Sequence, residues 1–115
     1  MTPTTEQLIE KHNSPDGLLS LLVLRANDDI CIGFEGFAWH THPGCLPGGK
    51  LDGAAAVRSF VEDVIGSRIV LCILRICGQV RNVWPVADVQ SALNEPYRQD
   101  DEEKEFRYWD GTKAA

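Results

Sequence analysis

The sequence predicts a small α+β fold, an antiparallel or mixed sheet with one main amphipathic helix packed on it. Three observations carry that expectation. Residues 52–65 repeat apolar side chains at helical spacing, residues 29–42 alternate with a period of two, and residues 69–77 are apolar on both parities apart from Arg75. A chain of 115 residues, 43% hydrophobic and 24% charged, has material for one core, so 1–115 reads as a single domain.

In chain order, Thr4 or Thr5 caps a short peripheral helix over Glu6 to His12, with Leu8 and Ile9 as its apolar anchors. Ser14-Pro15-Asp16-Gly17 offers both a turn and a helix start. The following LLSLLVLRA, residues 18–26, is open between the two elements: its leucines favour helix and its shortness favours a buried strand, with the balance slightly to helix. Asn27-Asp28-Asp29 then turns the chain into a long strand. Along that strand Ile30, Ile32, Phe34, Ala38, His40 and His42 share one parity, while Asp29, Cys31, Glu35, Phe37, Trp39 and Thr41 share the other. Both imidazoles thus continue the more apolar face.

Proline and glycine from Pro43 to Leu51 predict a surface loop. The main helix follows, capped by Asp52 and ended by Gly66. Ala54, Val57, Phe60, Val61, Val64 and Ile65 form its apolar face, opposite Arg58, Ser59, Glu62 and Asp63. Ile69 to Cys77 reads as an inner strand, returned through a Gly78-Gln79 turn to a partner strand over Val80 to Trp84 that Pro85 closes. Asp88 caps a turn or two of helix over Val89 to Leu93. In the tail, the acidic run at 100–105 reads as a solvated loop or a contact surface. A last short strand is expected over Phe106 to Trp109.

A formal net charge of −6 argues against a general nucleic-acid binder, because no basic patch exists to neutralise phosphates. An acidic surface favours basic partners. The first residues have no basic segment followed by an apolar one, and no apolar run approaches the ~20 residues of a membrane span, so a cytoplasmic protein without membrane contact is expected. Four cysteines at 31, 45, 72 and 77 form no CxxC pair and read as reduced residues, with Cys45 the exposed one. The composition leaves oligomeric state open.

The candidate chemistry lies at His40 and His42. Two histidines at i, i+2 on a strand can chelate zinc when a third ligand arrives, and Cys45 or Asp52 is near enough in sequence. The alternative is that the pair is hydrogen-bonded structure or part of a polar contact surface. No Walker loop, dinucleotide fingerprint or carboxylate pair occurs, and nothing orients Cys45 toward a histidine as a nucleophile. No cofactor other than this alternative zinc is expected.

The run WHTHPG at 39–44, leaving a strand and leading by a loop into a helix, resembles the metal-binding signature of the JAMM (MPN+) zinc isopeptidases. The resemblance implies that His40 and His42 would hold zinc, with Asp52 as third ligand after a one-residue deletion. The family's serine position falls on Gly49, and its upstream glutamate has no counterpart on a separate strand. Without a base to take the water's proton, zinc alone makes a poor hydrolase.

As a whole, a small acidic α+β chain with aromatic residues near its surface resembles in type the bacterial immunity proteins that neutralise polymorphic toxins. That likeness implies a non-catalytic cytoplasmic protein-binding protein. Partner contacts would come from the aromatics Trp39, Trp84, Tyr108 and Trp109, with His40 and His42 beside them. Asp100, Asp101, Glu102 and Glu103 would supply charge that speeds capture of a basic toxin domain.

Overall fold

The computed structural model describes residues 6–26, 29–93 and 101–114. Two antiparallel sheets and one main helix make up a small α+β fold. The first sheet has the order β1 (Glu6–Asn13), β2 (Ser20–Ala26), β3 (Asp29–Phe34), β4 (His40–Thr41). A 3-10 turn over Pro43–Cys45 leads to α1 (Gly53–Ile65). The second sheet is built from β5 (Val70–Ile76), β6 (Gln79–Val86) and β7 (Glu102–Arg107) in the order β6-β5-β7, with the short α2 (Val89–Leu93) after β6. The core lies where the inner faces of both sheets meet α1: Leu21, Val23, Ile32 and Phe34 from the first sheet, Val61 and Val64 from α1, and Leu71, Ile73 and Val83 from the second.

Several sequence expectations are corrected. Residues 6–13 are a strand, because pairing with β2 satisfies their backbone, whereas a helix with two apolar anchors would bury almost nothing. Leu8 and Ile9 stay exposed, Ile9 being the residue the ladder skips between Leu8 and Glu10. Residues 20–26 resolve to strand. Paired on both sides, β2 sends Leu21 and Val23 into the core while Leu22 and Leu24 sit half-buried on the other face.

The long strand predicted over 29–42 is a hairpin. Glu35 to Ala38 turn the chain, with Gly36 at φ 86°, and β4 folds back so that Ile32 opposes Thr41 and Gly33 opposes His40. Opposed residues share a face, so His40 lies on the side of Gly33, away from the core residues Ile32 and Phe34. The turn has reversed the parity count. Gly33 is required there, since a Cβ at that position would stand 2.9 Å from the Trp39 carbonyl oxygen.

The helix is as predicted in extent, with the Asp52 carboxylate accepting from the Ala55 N–H at 3.1 Å. Its buried stripe is narrower than the predicted face: Ala56, Val61 and Val64 are buried, Val57 and Phe60 pack half-buried beside them, and Ala54 and Ile65 are exposed. The β5–β6 turn is Cys77-Gly78, one residue earlier than predicted. Both carry positive φ, 52° and 79°, the I′ geometry that matches strand twist. Pro85 lies within β6, where an outermost strand tolerates a missing donor. The acidic run is no loop: β7 starts at Glu102, and Arg75 on β5 holds Glu105 across the ladder at 2.8 Å.

Candidate functional site

Hairpin β3–β4 brings together side chains that the linear sequence separates. On β2, Leu22 opposes Gly33 and Leu24 opposes Cys31, so Cys31, Gly33 and His40 line one face with the two leucines. His42 follows two residues after His40. Cys31, His40 and His42 each offer one ligand atom, and those atoms lie within 4.8 Å of one another. The two imidazole rings stand edge to face with centroids 5.3 Å apart. A groove of about 310 Å³ runs past this cluster, lined by Leu22, Leu24, Phe37 and Trp39 among others.

Both histidines are oriented through the same ring atom. His40 Nδ1 lies 3.1 Å from the Ala38 carbonyl oxygen. His42 Nδ1 lies 2.9 Å from the Ile30 carbonyl oxygen and 3.1 Å from the Asp29 carboxylate. Carbonyl oxygens only accept, so Nδ1 carries a proton in both rings, and in the neutral imidazole Nε2 is then the acceptor.

The third ligands suggested by sequence are placed elsewhere. Asp52 caps α1, Cys45 is exposed on the 3-10 turn, and neither joins a group of three metal-ligating side chains among the described residues. Cys31 takes that place. Its parity differs from that of the histidines in the linear count, so only the reversal at Gly36 unites them. All four cysteines are thiols, and Cys77 is exposed as well as Cys45.

The predicted partner residues divide into three sets. Trp39 is half-buried between Phe34 and Phe60, with centroids at 5.8 and 6.3 Å, and its backbone N–H donates to Asn82 Oδ1 on β6 at 3.2 Å. It joins the hairpin to α1 and to the second sheet. Trp84 and Tyr108 are half-buried, whereas Trp109 is 4% exposed and belongs to the core, so its indole presents no surface to a partner. Asp101 and Glu103 face solvent, Glu102 is half-buried with a carboxylate oxygen 3.9 Å from Lys104 Nζ, and Asp100 lies outside the described residues.

One polar constellation escaped the sequence reading. Arg107 is 4% exposed, and its guanidinium donates to Asp16 Oδ2 at 2.7 Å and to the carbonyls of Tyr108 and Trp109 at 3.1 and 3.2 Å. This clasp ties the β1–β2 turn to β7. Asp16 also accepts from the Ser14 hydroxyl and the Leu18 N–H. The Arg107 hydrogen bond, helped by Ser14, holds the Asp16 carboxyl well below the usual carboxylate range. A second groove, of about 610 Å³, separates α1 from the first sheet, but Glu10 and Glu62 on its walls are matched by Arg25 and Arg58, so it favours no sign of charge.

No family model, curated protein or solved structure matches the chain. No helix among the described residues is long and apolar enough to cross a membrane.

Proposed function

We propose that the protein is a non-catalytic protein-binding protein, an immunity or inhibitor protein of the cytoplasm whose partner is a basic toxin domain. The observation that carries this reading is the placement of Glu102, Glu103 and Glu105 on β7, at the edge of the second sheet, with Glu103 and, in the turn just before the strand, Asp101 turned to solvent. Residues two apart on a strand are spaced about 7 Å. A row of carboxylates fixed by a sheet loses little freedom on binding, unlike the same charges on a loose tail. Exposed carboxylates steer a basic partner and act on the association rate more than on the lifetime of the complex. The net charge of −6 supports the same sign of partner.

The test is kinetic. A partner captured from the source cell is purified, and its association is measured against wild type and the double variant Asp101→Asn, Glu103→Gln at two salt concentrations. The expected result is slower association with a weaker salt dependence and a nearly unchanged dissociation rate. An acidic partner, or identical association at low salt, overturns the reading.

A further inference from the structure

We infer that Cys31, His40 and His42 form a zinc-binding site on the outer face of hairpin β3–β4, with the fourth coordination position open to the groove beside it. The inference goes beyond the partner-binding reading and does not depend on it. Its first support is placement: three zinc-type donors, the Cys31 thiol on β3, the His40 imidazole on the paired β4 and the His42 imidazole just after it, come to within 4.8 Å. Around a tetrahedral zinc, neighbouring N and S donors sit roughly 3.3–3.7 Å apart, which follows from bond lengths of about 2.0–2.3 Å. Closing the cluster requires at most about 1.1–1.5 Å of contraction, and His40 is exposed, so its side chain can adjust without disturbing the core.

The second support is orientation. Each imidazole gives its Nδ1 proton to a backbone carbonyl, and His42 adds the Asp29 carboxylate. A carbonyl or carboxylate on the far nitrogen is the outer-shell arrangement that fixes tautomer and ring plane at zinc histidines and raises ligand basicity.

The third support is the donor set itself. A thiolate with two imidazoles suits zinc and excludes the hard cations magnesium and calcium, which take oxygen ligands. Binding deprotonates the Cys31 thiol and releases its proton to solvent, so affinity rises with pH. Three protein ligands leave one position for water or for a donor from a bound partner. The arrangement differs from the isopeptidase pattern, because the third ligand is a thiol from the neighbouring strand while Asp52 remains the cap of α1.

The experiment uses the full chain, stripped by chelator and titrated with Zn²⁺ alone in a calorimeter, with Co²⁺ as the spectroscopic probe. One equivalent of zinc is expected, and the Co²⁺ complex should show intense tetrahedral visible bands and a thiolate charge-transfer band in the near ultraviolet. Cys31→Ser should abolish the charge-transfer band, and either Cys31→Ser or His40→Ala should weaken zinc binding by more than about 100-fold, beyond the loss typical of an outer-shell partner. Asp29→Asn should cost about 10-fold, while Cys45→Ser and Asp52→Asn leave binding unchanged. His40 is exposed, so His40→Ala keeps the metal-free melting curve even where Cys31→Ser perturbs packing. The inference is overturned by the absence of saturable zinc binding, by a Co²⁺ complex without a thiolate band, or by full binding in His40→Ala.

Discussion

The two sheets hold their polar side chains in opposite ways. In the second sheet the guanidinium of Arg107 is buried and each of its three nitrogens donates a hydrogen bond, to Asp16 and to the carbonyls of Tyr108 and Trp109. On the first sheet His40 and His42 are held through one nitrogen only, His40 on a strand of two residues at the sheet edge and His42 just after it. The first arrangement is complete without any ligand. The second fixes each ring through Nδ1 and leaves Nε2 without a hydrogen bond among the described residues. Polarity alone therefore does not mark a candidate site in this protein; the clasp engages every nitrogen of its group, and the histidine pair does not.

The largest expected effect tests the structural side of that contrast. Trp109→Ala removes a core indole, and the cost should be about 3–5 kcal/mol in a denaturant titration at 25 °C. A loss under about 1 kcal/mol would return Trp109 to the surface, where the aromatic pattern of the sequence had placed it.

Next is the clasp, whose two halves should differ. Removing Asp16 leaves the Arg107 charge, with its side chain 5% exposed, without its carboxylate, whereas removing Arg107 leaves Asp16, 40% exposed, to water. Asp16→Ala should then cost about 3 kcal/mol and Arg107→Met about 1 kcal/mol. Equal losses would show that the pair acts only through packing. The pH dependence has a fixed sign. A carboxyl held below its ordinary value stabilises the fold above about pH 4, and that contribution fades as the pH falls toward the folded value. Unfolding by urea between pH 5 and pH 2.5 should lose part of its acid slope in Asp16→Asn.

Much of this was legible in the sequence, and the losses have a common cause. Asp52 to Ile65 was readable because a cap and a 3.6-residue repeat are local signals. β1 and β7 were misread because their residues carry little strand pattern of their own; EQLIEKHN and EEKEFR become strands through partners distant in sequence. The site suffered most from one glycine. With Gly36 read as strand, every residue after it was assigned to the wrong face, and Cys31 was separated from the histidines it lies beside. The I′ turn at Cys77-Gly78 hid in the same way, since cysteine is not a residue from which positive φ is expected.

The site side of the comparison sharpens with metal. Zinc at about one hundred times its dissociation constant should stabilise the fold by about 2.7 kcal/mol, a rise in melting temperature on the order of 10 °C. Arg107→Met should lower the starting temperature and leave that increment intact, because clasp and cluster share no residue. An increment that disappears with the clasp would mean the two regions are one cooperative unit.

The smallest expected effect on stability belongs to the exposed acids at the start of β7 and in the turn before it. Asp101 and Glu103 face solvent, and changing them to Asn and Gln should move the unfolding free energy by no more than about 0.5 kcal/mol. Glu105 behaves differently because Arg75 holds it at 2.8 Å with both side chains under one-third exposed, so Glu105→Gln should cost about 1 kcal/mol. The contrast lies within one short segment. The two carboxylates open to solvent are expected to act on capture of the proposed partner and barely on the fold, while the third is expected to do the reverse. Denaturant titrations of the three variants, compared with their association rates at low and high salt, measure both quantities on the same proteins. Should Glu103→Gln destabilise as much as Glu105→Gln, the acidic run is framework throughout, and the partner surface moves to the groove beside His40 and Trp39.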